Sequence, residues 1–359
     1  MKVLDACNKR LRRSQLNQMK IFHIADPQTF TKSFFSLVEK NFEVKDHAVL
    51  THSKSNGWPS DLTIAHKTLS GVRWVANFLD SARKAEKIIL HGLWDSRLIV
   101  LLALHPAMLK KCYWVIWGGD LYSHSMGKKN LRWYATELFR RPVIRRIGHL
   151  ITYVQGDVEL ARKWYGAIGQ YHECFMYTSN IYRDYAIKEQ PHAVVNIQIG
   201  NSADPSNNHL EILENLKSFR DQNITIYAPL SYGDQANAKT VIAAGKAIFG
   251  DKFKPMTDFI PFEQYLEFLG KIDIAVFAHK RQQGMGNTIT LLGLGKKVYM
   301  RSDVTPRATF DGMGVKIFDF PNIDLMPINK ETINKNIAQI KKNFSEKKLT
   351  DQLKSIFKD

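Results

Sequence analysis

The stretch Ile272-Asp273-Ile274-Ala275-Val276-Phe277 runs directly into Ala278-His279-Lys280-Arg281-Gln282-Gln283-Gly284-Met285-Gly286-Asn287-Thr288. A short apolar run bounded by turn residues reads as a strand buried on both faces, and the two glycines lead into a helix near Thr288 to Leu294. Strand, glycine-bearing turn and helix form the repeating unit of a doubly wound sheet, whose ligands gather where the strands end. Glycine there lets the backbone approach a ligand closely, while Arg281, Gln282 and Gln283 offer donors to phosphate and sugar oxygens.

The same alternation continues on both sides. Before it come strand Val194 to Ile199, helix Asn208 to Phe219, strand Ile224 to Tyr227, helix Gln235 to Phe249, a short strand end at Phe259 and helix Phe262 to Leu269; after it comes strand Lys297 to Met300. An earlier series has strands at Lys20 to Ala25, Val44 to Leu50, Ile88 to His91, Tyr113 to Trp117, Leu150 to Val154 and Tyr171 to Tyr177. Helical periodicity fills the gaps, as in Leu62 to Leu79 and Val158 to Tyr165. The polar stretch Tyr185 to His192 separates the two series and reads as a linker. The expectation is an α/β protein: an extension over residues 1–18, then two doubly wound, Rossmann-like domains, 19–190 and 191–359, facing a central cleft. A Lys-rich amphipathic stretch, Lys330 to Phe357, is assigned with the second domain as C-terminal helices.

Composition narrows the function classes. The longest apolar runs fall well short of a membrane span, and the N-terminal basic residues are followed by polar Gln15, Asn17 and Gln18 rather than an apolar signal segment. Cys7, Cys112 and Cys174 have neither disulfide-framework nor zinc-ligand spacing, which points to a reducing cytosol. The formal net charge is +17, and residues 1–190 hold 29 basic against 16 acidic side chains, so the first domain carries the field that attracts phosphates, anionic lipid or nucleic acid.

Four segments at strand ends can carry chemistry. Gly200-Asn201-Ser202-Ala203-Asp204-Pro205-Ser206-Asn207-Asn208-His209 opens a helix, with Ser206 or Asn207 as a candidate N-cap, and reads either as an anion-binding turn or as an ordinary capped turn. With it goes the turn already quoted. Together they nominate Gly200, Asn201, Ser202, Ser206, Asn207, Arg281, Gln282, Gln283, Gly284, Gly286, Asn287 and Thr288 as phosphate- and sugar-binding residues. The third segment, Trp114-Val115-Ile116-Trp117-Gly118-Gly119-Asp120-Leu121-Tyr122, places a carboxylate at a strand end, so Asp120 is the first candidate for a general base and His91, followed by Gly92, the second. His23 and Asp26, after the first strand, stand where a substrate could be met. The fourth, from Lys128 to Arg146, contains seven basic residues and one acidic one. Leu131, Tyr134 and Leu138 share a helical face, and Pro142 can begin a second short helix. Lys128, Lys129, Arg132, Trp133, Arg140, Arg141, Arg145 and Arg146 are the candidate contacts to anionic lipid or to a lipid-linked diphosphate.

Taken together, His91-Gly92, Trp117-Gly118-Gly119-Asp120-Leu121-Tyr122, Gly200-Asn201-Ser202 with Asp204, Ser206, Asn207 and His209, and Arg281-Gln282-Gln283-Gly284 resemble glycosyltransferase family 56, from Met19 onward. The resemblance implies the GT-B fold and transfer of 4-acetamido-4,6-dideoxygalactose from a dTDP donor to a polyprenyl-diphosphate-linked disaccharide in enterobacterial common antigen synthesis. It implies a peripheral enzyme on the cytoplasmic side of the inner membrane, with no metal and no cofactor. The competing reading is a basic two-domain protein that binds nucleic acid or anionic membrane without catalysis. No nucleic-acid-binding signature is visible, so nucleic acid is not the expected partner.

Overall fold

The computed structural model describes residues 19–52, 57–126, 128–185 and 193–358. The extension 1–18 and nearly all of the linker from Tyr185 to His192 lie outside the described residues. The chain divides into two compact units, one running to Ser179 and taking back Leu349–Asp359, the other spanning Asn180–Lys348.

The first unit contains β1 (Ile21–Ile24), α1 (Thr29–Asn41), β2 (His47–Thr51), β3 (Ala65–Thr68), α2 (Gly71–Lys84), β4 (Lys87–Leu90), α3 (Ser96–Leu104), β5 (Cys112–Val115), α4 (Gly119–Met126), α5 (Leu131–Arg146), β6 (His149–Thr152), α6 (Gln155–Tyr165) and β7 (Gln170–Glu173). Its seven strands lie in the order β3-β2-β1-β4-β5-β6-β7, every neighbouring pair parallel. The order reverses between β1 and β4, which sets the crevice where such sheets bind ligands. The second unit contains β8 (Val195–Ile199), α7 (His209–Leu216), β9 (Ile224–Pro229), α8 (Gln235–Phe249), β10 (Phe253–Met256), α9 (Phe262–Lys271), β11 (Ile274–Phe277), α10 (Met285–Gly293), β12 (Lys297–Arg301), α11 (Thr305–Gly312), β13 (Phe318–Phe320) and α12 (Lys330–Asn343). Its order is β10-β9-β8-β11-β12-β13, again all parallel, with the reversal between β8 and β11.

Burial explains the strands. β4 and β11 are buried at every residue, as a central parallel strand covered on both faces requires. Each unit has its own apolar core, one built on Phe22, Trp74, Phe78, Trp114 and Leu150 and the other on Ile197, Leu213, Ile226, Val276 and Tyr299. Local signals set the helix ends: Asp234 caps α8 by accepting from the amides of Ala236 and Asn237, and Gly166 ends α6 in the left-handed conformation.

The structure corrects several expectations. The stretch read as one helix from Leu62 to Leu79 holds the edge strand β3, and the helix begins only at Gly71. Phe259 is not a strand end; the edge strand β10 lies earlier, at Phe253–Met256. Pro142 lies inside a single helix, α5, and does not start a new one. The carbonyl that loses its partner to Pro142 belongs to Leu138, on the exposed face where water can serve it. The C-terminal boundary also moves. The last helix, α13 (Glu346–Lys358), returns to the first unit, where Lys87 Nζ donates to the Ile356 carbonyl at 2.7 Å and the Phe357 ring packs on Phe42 and His47. Leu349, Leu353 and Ile356 on α13 are fully buried.

Candidate active site

In the second unit, the turn after β8 and the turn after β11 are tied together. Asn207 is fully buried: its Oδ1 accepts from the Asn201 amide at 2.9 Å and lies 2.8 Å from His279 Nε2, and its Nδ2 donates to Ser202 Oγ and to the Asp204 carbonyl. Ser206 Oγ lies 2.5 Å from both Asp204 Oδ1 and Gln283 Oε1, and Arg281 Nη2 donates to it at 3.3 Å. Asn208 Nδ2 donates to the Ala278 carbonyl. Gly200 has φ +61°, and a Cβ there would come within 2.4 Å of His209 Nε2, so only glycine lets the chain pass the histidine.

Above this brace α10 begins. Gly284, at φ +62°, precedes it, and a Cβ at Gly284 would touch Asn201 and His279. The amides of Met285, Gly286 and Asn287 head the helix without intrahelical acceptors, and the helix dipole adds partial positive charge there. Arg281 stands beside that end. The arrangement suits an anion such as a diphosphate. Further polar atoms nearby are buried and have no hydrogen-bond partner among the described residues: Asn201 Oδ1, Gln282 Oε1, Gln198 Oε1 and both ring nitrogens of His209. Burial lowers the His209 pKa to about 4 and the His279 pKa to about 3, so both rings are neutral at neutral pH.

The geometry sorts the nominated residues. Gly200, Asn201, Ser202, Arg281, Gln282, Gln283, Gly284, Gly286 and Asn287 gather at these strand ends. Asn207 is corrected to an internal hub with both ends of its amide occupied. Thr288 is also corrected, being fully buried with its hydroxyl turned back to the Gly284 carbonyl. Ser206 ties the two turns together but does not cap α7; Asp204 caps the short turn Pro205–Asn207, and Asn208 precedes the helix in the left-handed conformation. Sequence reasoning missed Tyr232, whose hydroxyl accepts from Asn201 Nδ2 at 3.0 Å, and Tyr265, which reaches Gln198 and Asn287. The signal for Tyr232 was its place in Leu230-Ser231-Tyr232-Gly233-Asp234, the strand-end turn after β9.

In the first unit both nominated bases are committed to the fold. Asp120 is fully buried, and its carboxylate accepts four N–H bonds, from the amides of Leu93, Trp117 and Leu121 and from Trp114 Nε1 at 2.7 Å. Burial pushes its pKa up while these donors pull it down. Every accepting direction is used inside the protein, so Asp120 is corrected from base to strut of the turn after β5. His91 is corrected as well. Its Nε2 lies 3.1 Å from His23 Nδ1 and its Nδ1 lies 2.7 Å from the Tyr177 hydroxyl, while His23 Nε2 lies 3.0 Å from His47 Nδ1. The three rings form one buried chain, and burial lowers the His91 pKa to about 3 and the His47 pKa to about 4.

On α5, Leu131, Tyr134 and Leu138 are 89, 57 and 72% exposed, an apolar stripe with nothing over it among the described residues. Lys128, Lys129, Arg132, Arg141, Arg145 and Arg146 are exposed around it. Two nominees belong elsewhere. Arg140 is buried, pairing with Glu137 at 3.4 Å and donating to the Ser123 hydroxyl, and Trp133 is anchored by its Nε1 on the Ser123 carbonyl at 2.9 Å. No helix among the described residues is long and apolar enough to cross a membrane.

Two parallel sheets of this order define a GT-B glycosyltransferase fold, and solved structures agree. HepE from Anabaena, crystallised with UDP and glucose, superposes with TM-score 0.68 at 11% identity over 95% of this chain and 99% of its own. Sucrose-phosphate synthase from Thermosynechococcus elongatus gives 0.69 at 9% over 95% and 98%, and WaaG, a glycosyltransferase involved in lipopolysaccharide biosynthesis, gives 0.60 at 11% over 94% and 98%. The model of the family described as 4-alpha-L-fucosyltransferase, glycosyl transferase group 56, matches residues 30–305, and the chain belongs to that family.

Proposed function

We propose that this glycosyltransferase moves 4-acetamido-4,6-dideoxygalactose from dTDP to a polyprenyl-diphosphate-linked disaccharide, working as a peripheral protein on the cytoplasmic face of the inner membrane in enterobacterial common antigen synthesis. The observation that supports the reading is the brace of the turns after β8 and β11, which ties Arg281 to the turn that leads into the N-terminus of α10, a pairing of cation and helix start suited to a diphosphate. As the bond from the anomeric carbon to the phosphate oxygen breaks, the electron pair leaves with the nucleotide. Arg281, Gly286 and Asn287 stabilise that growing charge from fixed positions. Asn201, Ser202, Gln282 and Gln283 offer hydrogen bonds to the sugar and nucleotide, while Gly200 and Gly284 keep the backbone close. HepE crystallised with UDP and with UDP-glucose supports a nucleotide-sugar donor. The fucosyl unit in the family description supports a 6-deoxy sugar.

The lipid-linked acceptor and the membrane are inferred from α5, where the exposed Leu131, Tyr134 and Leu138 stripe is framed by Lys128, Lys129, Arg132, Arg141, Arg145 and Arg146. Apolar residues enter the headgroup boundary while cations meet anionic lipid, each basic residue being worth about 1 kcal/mol at the surface.

The test is a donor screen by thermal stabilisation with dTDP, UDP, GDP and CMP, followed by transfer of the sugar to the polyprenyl-diphosphate disaccharide. A saturating nucleotide stabilises by about 2.7 kcal/mol at a hundredfold excess over Kd. Selective stabilisation by dTDP with transfer is the expected result. No response to any nucleotide, with salt-dependent binding to nucleic acid or vesicles instead, would overturn the reading.

A further inference from the structure

An aromatic corner stands at the ligand end of the first sheet, built wholly within the first unit. Phe30 lies in the first turn of α1, which follows β1, and Trp117 comes just after β5. β4 runs between those two strands, at the reversal of strand order where open α/β sheets bind ligands. The Phe30 and Trp117 rings meet across that reversal, their centroids 4.4 Å apart and their planes at 65°. Tyr177 closes the group from the buried side, 5.2 Å from Phe30 and 4.9 Å from Trp117.

Trp117 is fixed at both ends. Its amide donates to Asp120 Oδ1 at 3.0 Å, and its indole Nε1 donates to the Tyr177 hydroxyl at 3.1 Å. That hydroxyl, having taken one N–H, gives its own proton to His91 Nδ1 at 2.7 Å. Neutral His91 then donates from Nε2 to His23 Nδ1, and His23 donates from Nε2 to His47 Nδ1. The buried histidine chain thus has a direction, and Trp117 is its first donor. Nε1 is the single polar atom of an indole, and here it is committed inward, so the surface that half-buried Trp117 leaves accessible is carbon. Phe30, also half-buried, adds more carbon at a steep angle to it. A pyranose ring carries a face of C–H bonds whose positive hydrogens suit the electron-rich face of an aromatic ring. A glycosyltransferase acts on such rings, and its donor sugar is proposed for the second unit.

We propose that Trp117 and Phe30 form the platform on which a sugar ring of the acceptor packs, and that Tyr177 is a positioning residue that holds the Trp117 ring in place. The inference rests on the proposed transferase reaction.

The test uses the full chain, measuring acceptor binding by calorimetry without donor and then transfer from the dTDP-sugar. The probes are the polyprenyl-diphosphate disaccharide and the same disaccharide diphosphate on a short alkyl chain. Trp117→Leu keeps an apolar side chain but removes the ring face, and is expected to weaken both acceptors and raise the acceptor KM by about tenfold. The melting temperature should still rise with dTDP as in the wild type. Trp117→Phe restores a ring and should recover most of the affinity. Tyr177→Phe loses only the hydroxyl, and should raise the acceptor KM more than it lowers kcat. Should Trp117→Leu fail to fold, Phe30→Leu at the helix start gives the same reading. In an active enzyme, unchanged acceptor binding in the leucine variant, or equal losses in Trp117→Leu and Trp117→Phe, would overturn the platform alone. A loss confined to the polyprenyl acceptor would mean that the rings hold lipid, and would overturn it too. A wild type that binds no nucleotide and transfers to no acceptor would overturn the transferase reading, and this inference with it.

Discussion

Arg281 and Ser206 stand 75 residues apart in the chain, yet the guanidinium Nη2 lies 3.3 Å from the serine hydroxyl. The same hydroxyl meets Asp204 and Gln283, which fixes the guanidinium at the turn where the donor phosphates are proposed to sit. Arg281→Ala should therefore cut turnover by about 10²-fold or more and shift the melting temperature little. Paired kinetics and thermal denaturation check this; equal losses in both would mean that Arg281 acts through the fold alone.

Asp120 should behave in the opposite way. Asp120→Ala strands four donors, those of Leu93, Trp114, Trp117 and Leu121, inside the first unit. Each buried orphan costs about 1–3 kcal/mol, so the variant should lose most of its stability or fail to accumulate folded. Asp120→Asn keeps the shape but turns two N–H groups toward former donors, and should be destabilised while whatever remains folded still transfers sugar. Urea midpoints beside specific activity per folded molecule settle the matter.

The buried histidines tie stability to pH. His47, His91, His209 and His279 have folded pKa values near 4, 3, 4 and 3, below the ordinary 6.5, and burial is the main cause in each. A lowered histidine pKa means that the unfolded chain binds the proton more readily. The stability from these groups is thus complete above about pH 7 and falls as pH drops, by about 1.4 kcal/mol per unit for each histidine. Denaturation midpoints between about pH 7 and about pH 5 should decline steeply, and a flat profile would show that these rings are not neutral in the fold.

Vesicle binding should depend on the stripe along α5. Leu131 and Leu138 are exposed, so Leu131→Asp with Leu138→Asp should leave the melting temperature unchanged. Cosedimentation with vesicles rich in anionic phospholipid should fall at least tenfold, and high salt should weaken the wild type too. Undiminished binding by the double variant would move the membrane face elsewhere.

The sheet architecture could be read from the sequence because apolar strands such as Ile88–Leu90 and Ile274–Phe277 are covered on both faces and show it in their composition. Helix α8 was read to the residue, since Asp234 before it and Gly250 after it mark both ends. The edge strands β3 and β10 gave no such signal: Ala65-His66-Lys67-Thr68 is held by pairing with β2, which is a tertiary fact. The binding turns were legible as glycine and polar clusters at strand ends. Which of their side chains face outward was not. Asp120, Asn207 and Arg140 look like free functional groups in one dimension, and only the folded chain reveals the partners that occupy them. The amphipathic pattern of the last helix likewise says that it covers something without saying what.

The return of α13 to the first unit sets an order on biosynthesis. A ribosome delivers all seven strands of the first sheet, and then the whole second unit, before the residues from Leu349 onward emerge. Domains commonly fold in the order in which they are made, but here the nascent first unit waits with the surfaces of Lys87, Phe42 and His47 uncovered until α13 has emerged. The unit begun first is completed only after the second has been made, and a chain stopped before Leu349 would present that bare surface to chaperones and proteases.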